Sequence, residues 1–489
     1  MPLPSPGRPR LRLALAAAGL VLILAGCVPT GTTRESANPQ DAQTVQENLA
    51  VAANNLRSYA ILDDEFAPEI RAHLFGIPGL RSLSSVTEAR VLAAIESNGS
   101  FGGRAAYSPV LTDPAARRPA ERFIVAPQVQ DPRTTGAPTS GASDAGTAGK
   151  FPTEAEESEP GERLEIGNEV LAAGGDFLVS RLWVRGPGDD RPQASVLVTQ
   201  ISTDTTVDIG DLFDAEVDAA AIAVDAFGHV TLEGSQVPEK SLTALGRTVS
   251  KSLRTPLALP AAADERRPDY SCSLLPCVAL TYDDGPGDPE GEDSLLDAAA
   301  EAGVRLTYFL LGRNVAAFPG TVERMVDQGH EIANHTHSHP QLDRSSPATV
   351  RAQVRQADDA IEAAGAGRPE LLRPPFGALD SAAAGVLGHP AILWDVDTED
   401  WRHKNPGKVV ASVARDARPG SIVLMHSIHP STIEASPQVF RTVAEKGLYA
   451  VTTSELFAGV ELSAGAQYYC RGYGSELCSN PEHPAVLRK

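Results

Sequence analysis

Along the second half of the chain, short apolar runs alternate with amphipathic stretches. The runs at 277–282, 305–311, 370–372, 391–396, 421–425 and 449–452 are rich in Val, Leu, Ile and aromatic residues. Between them, segments 292–302, 320–329, 347–364, 380–388, 407–417 and 436–446 carry apolar residues at helical spacing. Strands that alternate with helices imply a parallel sheet, and this many in one domain predict an α/β fold in which the sheet closes, or nearly closes, into a distorted β/α barrel. Such barrels build their active sites at the C-terminal ends of the strands, where the reactive-looking residues of this chain cluster.

The first half has a different rhythm. Residues 46–125 mix apolar and polar positions with helix-like spacing, as over 86–95. Strand-like runs follow at 177–184, 195–201 and 229–232, separated by Gly and Asp turn signals. Together they predict a smaller α+β N-terminal domain over 46–260, and the stretch from Thr206 to Phe213 resembles a small α/β extracytoplasmic module found beside envelope enzymes. No grouping of acids, His or Cys suited to chemistry occurs there. Residues 126–163 are dominated by Pro, Thr, Gly, Ser, Ala and acids, too little apolar content to offset ordering, and are expected to be a linker or a disordered loop. At the start, Arg8, Arg10 and Arg12 precede an apolar run over 13–24, which is shorter than a spanning helix and fits a signal peptide over 1–26. It ends in Leu24-Ala25-Gly26-Cys27, which resembles the lipobox of bacterial lipoproteins. That resemblance implies cleavage before Cys27, acylation of its thiol, and a mature protein lipid-anchored outside the cell membrane through a polar tether over 27–45.

A chain of 489 residues calls for two domains with connectors. Its net charge of -21 excludes nucleic acid as a partner, because phosphate binding needs clustered Lys and Arg, but is indifferent to neutral polysaccharides. Beyond Cys27, the four residues Cys272, Cys277, Cys470 and Cys478 suggest two disulfides in an exported protein. Local pairing and cross-pairing both remain open.

Five segments carry candidate chemistry. Thr281-Tyr282-Asp283-Asp284-Gly285-Pro286 follows a strand. Adjacent carboxylates repel unless a cation or proton is shared, so one Asp can ligate a metal while the other takes a proton from water. In Asn334-His335-Thr336-His337-Ser338-His339-Pro340, His335 and His339 would share one face of a helical turn and grip an ion, while His337 would point away. With Asp284 they make three protein ligands, which leaves a position for water, the arrangement of catalytic metal sites. Leu371-Leu372-Arg373-Pro374-Pro375-Phe376-Gly377 should be a stiff loop, suited to presenting a guanidinium or a backbone N–H. Trp394-Asp395-Val396-Asp397-Thr398-Glu399-Asp400-Trp401 crowds acids beside two of the three Trp residues. Ile422-Val423-Leu424-Met425-His426 is a buried-looking strand ending in a candidate proton donor.

In this order and with these gaps, the five segments resemble the polysaccharide deacetylases with a NodB-homology domain (carbohydrate esterase family four), over roughly 275–458 within a domain spanning 268–478. Tyr282 departs from the Phe the family commonly carries before the acid pair. The resemblance implies Asp283 as general base, Asp284, His335 and His339 as ligands of one divalent metal ion, usually zinc, and Arg373 as the partner that orients Asp283. It further implies that the Phe376 N–H helps hold the oxyanion, that Trp401 and Leu424 form the pocket for the acetyl methyl, and that His426 protonates the departing amine. Asp400 would buttress His426, with Asp397 a second possibility. His429 has no derivable role. The implied reaction is hydrolysis of the N-acetyl group on peptidoglycan. Chitin-like oligomers, O-acetyl esters of a xylan-type glycan, or glycan binding without catalysis are the alternatives.

Overall fold

The computed structural model describes residues 38–64, 68–98, 107–125, 163–218, 221–260, 266–472 and 478. The signal peptide with Cys27, and residues 126–162 of the low-complexity segment, lie outside them. A helix, Pro39–Asn55, comes first. Asn38 caps it by accepting the Gln40 N–H, and Pro39 occupies the first turn, where an N–H would lack a helical partner anyway. Val45, Leu49 and Ala52 recur at helical spacing and are buried on one face. The expected tether over 27–45 is therefore too long, since 39–45 already belong to a packed helix whose apolar stripe begins at Val45.

Strands β1 (Arg57–Asp63) and β2 (Glu69–Gly76) form an antiparallel pair, followed by the helix Arg81–Asn98, which contains the 86–95 stretch. This pair corrects the helix-like reading of 46–125. Tyr59 and Ile61, with Ile70, Ala72 and Leu74, alternate into the core at period two. β3 (Arg163–Gly174), β4 (Phe177–Arg185), β5 (Gln193–Gln200) and β6 (Thr205–Asp208) complete a six-stranded sheet in sequence order, antiparallel except between β2 and β3. β4 at Leu178 and Val179 and β5 over 196–198 are apolar on both faces, because both faces are covered. Leu178 and Leu197 pack with the first helix on one side. Val179, Val196 and Val198 pack on the other against β7 (Ile222–Val224) and β8 (Val230–Leu232), which form a small sheet with β9 (Ser235–Gln236).

The second half forms a parallel ring. β10 (Cys277–Asp283) pairs with β11 (Thr307–Leu310) on one side, and β12 (Glu331–Asn334) follows β11. Leu372 bridges Asn334 to β13 (Ala391–Ile392). The same segment runs on into β14 (Val396–Asp397), which pairs with β15 (Ile422–His426), and β15 closes back onto β10. β16 (Tyr449–Val451) pairs with the first residues of β10, and β17 (Gln467–Tyr468) flanks β13. Five of the six expected runs contribute to the ring, whereas 449–452 lies beside it as β16, and β12 is a ring strand that the longer apolar runs did not mark. Along β10 the period of two sends Val278, Leu280 and Tyr282 out to the helices and Ala279 into the interior. Thr281 and Asp283 share the parity of Ala279 and face inward.

The interior core does not stop at the barrel. It runs from Ala279, Phe309 and Leu424 through Leu274 and Leu275 into Tyr59, Ile70 and Leu164 of the N-terminal sheet. The connecting strap is tied down as well. The Tyr59 hydroxyl donates to Asp269 (2.8 Å), the Ser271 N–H donates to Glu88 (2.7 Å), and the Tyr59 ring lies 5.8 Å from that of Tyr449 at the start of β16. The N-terminal sheet therefore covers the end of the barrel where strands begin and leaves the opposite end for chemistry. Disulfides Cys272–Cys277 and Cys470–Cys478 are both local, which decides the pairing that sequence left open.

Candidate active site

Asp283 is the last residue of β10, and its inward carboxylate meets Arg373, whose Nη1 donates to Asp283 Oδ1 at 2.7 Å. Arg373 is wholly buried, and each of its three guanidinium nitrogens donates a hydrogen bond. Nη1 also donates to Thr281 Oγ1 (2.7 Å), Nη2 to the Leu393 carbonyl (3.0 Å) and Nε to the Ile392 carbonyl (3.1 Å), while Cζ stands 4.1 Å over the Phe309 ring. A buried cation survives only when paired and hydrogen-bonded in this way. Burial raises the pKa of Asp283, and Arg373 and His426 act against that rise.

Asp284 turns out of the strand with φ 72, held by Asn314, whose Nδ2 donates to its carbonyl at 2.8 Å. The two imidazoles reach it from the loop after β12. That loop is not the expected helical turn. Thr336 and His339 take left-handed conformations (φ 67 and 66), which a 3.6-residue repeat cannot contain. Side chains set its shape instead. Asn334 Oδ1 accepts the Thr336 N–H at 2.6 Å, and Gln353 Oε1 accepts the N–H groups of His337 (3.1 Å) and Ser338 (2.9 Å). His337 stays outside the convergent set, packed where a Cβ on Gly312 would come within 2.8 Å of its Nδ1.

His335 Nε2 lies 3.6 Å and His339 Nε2 3.4 Å from Asp284 Oδ1, and the three ligand atoms sit within 4.8 Å of one another. Donors sharing a tetrahedral ion at about 2.0–2.1 Å stand roughly 3.3 Å apart, so the set matches. Two further observations fit a cation. Asp284 Oδ1 is buried and makes no hydrogen bond among the described residues. His335 Nδ1 lies 2.7 Å from the Arg373 carbonyl, which makes Nδ1 the protonated nitrogen and leaves the Nε2 lone pair toward Asp284. Burial, only partly countered by Asp284, lowers the His335 pKa to about 3, so the ring is neutral as a ligand must be.

Opposite Asp283 in register stands His426, at the end of β15. Its Nδ1 lies 2.8 Å from Asp400 Oδ1, while Asp400 Oδ2 accepts the His426 N–H (2.7 Å) and the Thr432 hydroxyl (2.7 Å). Asp397 is engaged elsewhere, accepting from Trp394 Nε1 (3.3 Å) and the Glu399 N–H (2.8 Å), so Asp400 is the partner of His426. Burial alone would lower the His426 pKa. The hydrogen bond and charge of Asp400, with Asp283 and Asp284 beyond, override it and push the value up to about 9. His429 starts the helix Pro430–Glu445 with its ring 5.8 Å from that of His426, and burial lowers its pKa.

Of the remaining predicted residues, Phe376 has φ 60, is 61% exposed and sets its ring edge-on to His339 at 4.5 Å. Leu424 is buried in the inner core, whereas Trp401 is 51% exposed on the short helix Asp400–His403. Thr432, Asn314 and Gln353 were not anticipated. They act through partners distant in sequence, and no local pattern marks them.

The polysaccharide deacetylase family model matches residues 273–389. The chain is 37% identical over 192 residues to a peptidoglycan-N-acetylglucosamine deacetylase of Listeria monocytogenes, covering 39% of this chain and 41% of that protein. It is 35% identical to a peptidoglycan-N-acetylmuramic acid deacetylase of Bacillus subtilis, covering 39% and 43%. A chitooligosaccharide deacetylase of Bradyrhizobium sp. is 39% identical over 163 residues, covering 32% of this chain and 74% of that protein. The match thus spans under half the length of the first two relatives and most of the third.

Proposed function

Because the chain belongs to the polysaccharide deacetylase family, we propose that it hydrolyses the N-acetyl group of peptidoglycan N-acetylglucosamine. The observation that carries this reading is the buried Oδ1 of Asp284, without a hydrogen bond among the described residues, facing two imidazole Nε2 atoms, with an Arg-held carboxylate beside it. Asp284, His335 and His339 would hold a divalent cation, zinc by the chemistry of the donors, which supplies Lewis acidity to water and to the acetyl carbonyl.

The protein's own groups supply the rest. Asp283 takes the proton from the attacking water; Arg373 fixes its orientation, and burial keeps the carboxylate more basic than an exposed one. The Phe376 N–H helps hold the developing oxyanion, and Trp401 and Leu424 flank the acetyl methyl. His426, kept protonated by Asp400, delivers a proton to the sugar nitrogen as the C–N bond breaks, so that acetate and a neutral amine leave. An amide needs this acid because its leaving group is poor. The relatives named for peptidoglycan and the lipobox-like Leu24–Cys27 segment both favour an envelope substrate, with the protein anchored outside the membrane through Cys27.

The test is acetate release from acetylated wall material. Wild type is expected to release acetate and create amines, and Asp283→Asn to be slower by about 10²–10⁴-fold. A metal-loaded wild type that releases no acetate from any acetylated glycan overturns the proposal.

A further inference from the structure

Glu292 is a charged residue in a place where helices normally put a hydrocarbon. It lies in the first turns of the helix Pro289–Ala302, is fully buried, and takes no part in the chemistry above. Its Oε1 accepts the Ser427 hydroxyl at 2.6 Å and the Gly287 N–H at 2.7 Å. Its Oε2 is buried and makes no hydrogen bond among the described residues. Desolvating a carboxyl is costly, and an unsatisfied oxygen adds to that cost. Stability alone does not account for the residue.

Its two partners explain the choice. Gly287 ends the turn that begins with Asp283 and Asp284, and Ser427 directly follows His426. The contact is close: a Cβ on Gly285 would lie 2.9 Å from Ser427 Oγ and 3.1 Å from Glu292 Oε1, and one on Gly287 would lie 3.3 Å from the Ile428 Cα. The turn after the base and the segment after the acid therefore meet over one carboxyl oxygen. We infer that Glu292 is a positioning residue that clasps these two segments and fixes the distance between Asp283 and His426. The inference rests on the deacetylase reading of the site. Base and acid act on opposite sides of one reacting carbon, and an error of about 1 Å in such an arrangement can cost on the order of 10²-fold in rate.

The experiment compares hydrolysis of an N-acetylated chito-oligosaccharide with that of an aryl acetate ester, whose leaving group needs little help from an acid. Proteins with matched metal content and circular dichroism are used. Glu292→Ala is expected to lose about 10- to 100-fold in kcat on the amide and no more than about 3-fold on the ester, with KM little changed. Ser427→Ala should shift the same ratio in the same direction, and the double variant should be no worse than Glu292→Ala. Glu292→Gln retains an oxygen acceptor and should stay within about 3-fold of wild type on both substrates. Parallel losses on amide and ester, multiplying losses in the double variant, or unchanged amide turnover in both Ser427→Ala and Glu292→Ala would overturn the clasp. If Glu292→Ala does not fold, Ser427→Ala and Glu292→Gln decide the matter. A wild type without amidase activity would refute the deacetylase reading instead, so the two failures are distinguishable.

Discussion

Replacing Asp400 by Asn removes the charge behind His426 at nearly constant size and turns one of two oxygens, each accepting two hydrogen bonds, into a donor. The side chain keeps its shape and one oxygen acceptor but loses the charge that raises the imidazole. Holding His426 at about 9 against an ordinary 6.5 favours its protonated form by about 3 kcal/mol. Asp400 supplies the leading contributions in that direction, so without it the pKa should return to 6.5 or lower, since burial then acts with less opposition. At pH 8, a group titrating at 9 is about 90% protonated and one at 6.5 about 3%, a roughly 30-fold loss of the acid form. At pH 6 the two differ by less than about twofold. The sign is that of a raised basic group: the acid is present below its pKa and lost as pH climbs through it. The assay is kcat/KM for an N-acetylated oligosaccharide from pH 5.5 to 9.5. The alkaline limb should move from near 9 to near or below 6.5 in Asp400→Asn. An unmoved limb, or a deficit equal at every pH, would refute the assignment.

Two other substitutions probe the frame of the site. Arg373→Lys cannot reproduce the four hydrogen bonds to Asp283, Thr281, Ile392 and Leu393; we expect about 3–5 kcal/mol lower stability by denaturant titration and at least a 10²-fold lower kcat. Leu275→Ala opens a cavity in the core shared by barrel and N-terminal sheet. It should cost about 2–5 kcal/mol while both halves still unfold in one transition, observed by tryptophan fluorescence and far-ultraviolet circular dichroism.

The barrel was legible because its strands are buried on both faces and read as apolar runs, while its helices show one apolar face. The site was legible because the ligands Asp284, His335 and His339 come from two short, chemically unusual segments. What stayed hidden depends on contacts across the chain. β1 and β2 owe their strand form to a sheet completed by β3, about ninety residues later in sequence, and to the barrel core beneath them. The convergence of His335 and His339 looked like helical spacing, but Asn334 and Gln353 impose a loop with two left-handed residues. The choice between Asp397 and Asp400 turned on hydrogen-bond partners, His426 for Asp400 against Trp394 and Glu399 for Asp397, that only the folded chain brings together. Glu292 gave no signal at all, since an acid in a first helical turn usually serves the helix dipole.

The central claim is that one divalent ion, gathered by Asp284, His335 and His339, powers the hydrolysis. Stripping the protein with a chelator and titrating zinc back, with acetate release recorded at each addition, tests it most directly. Activity should be absent in the stripped protein, rise linearly and level off at one equivalent, and Asp284→Asn should not recover it at that stoichiometry. Full turnover without metal, or saturation only at two equivalents, would contradict the account.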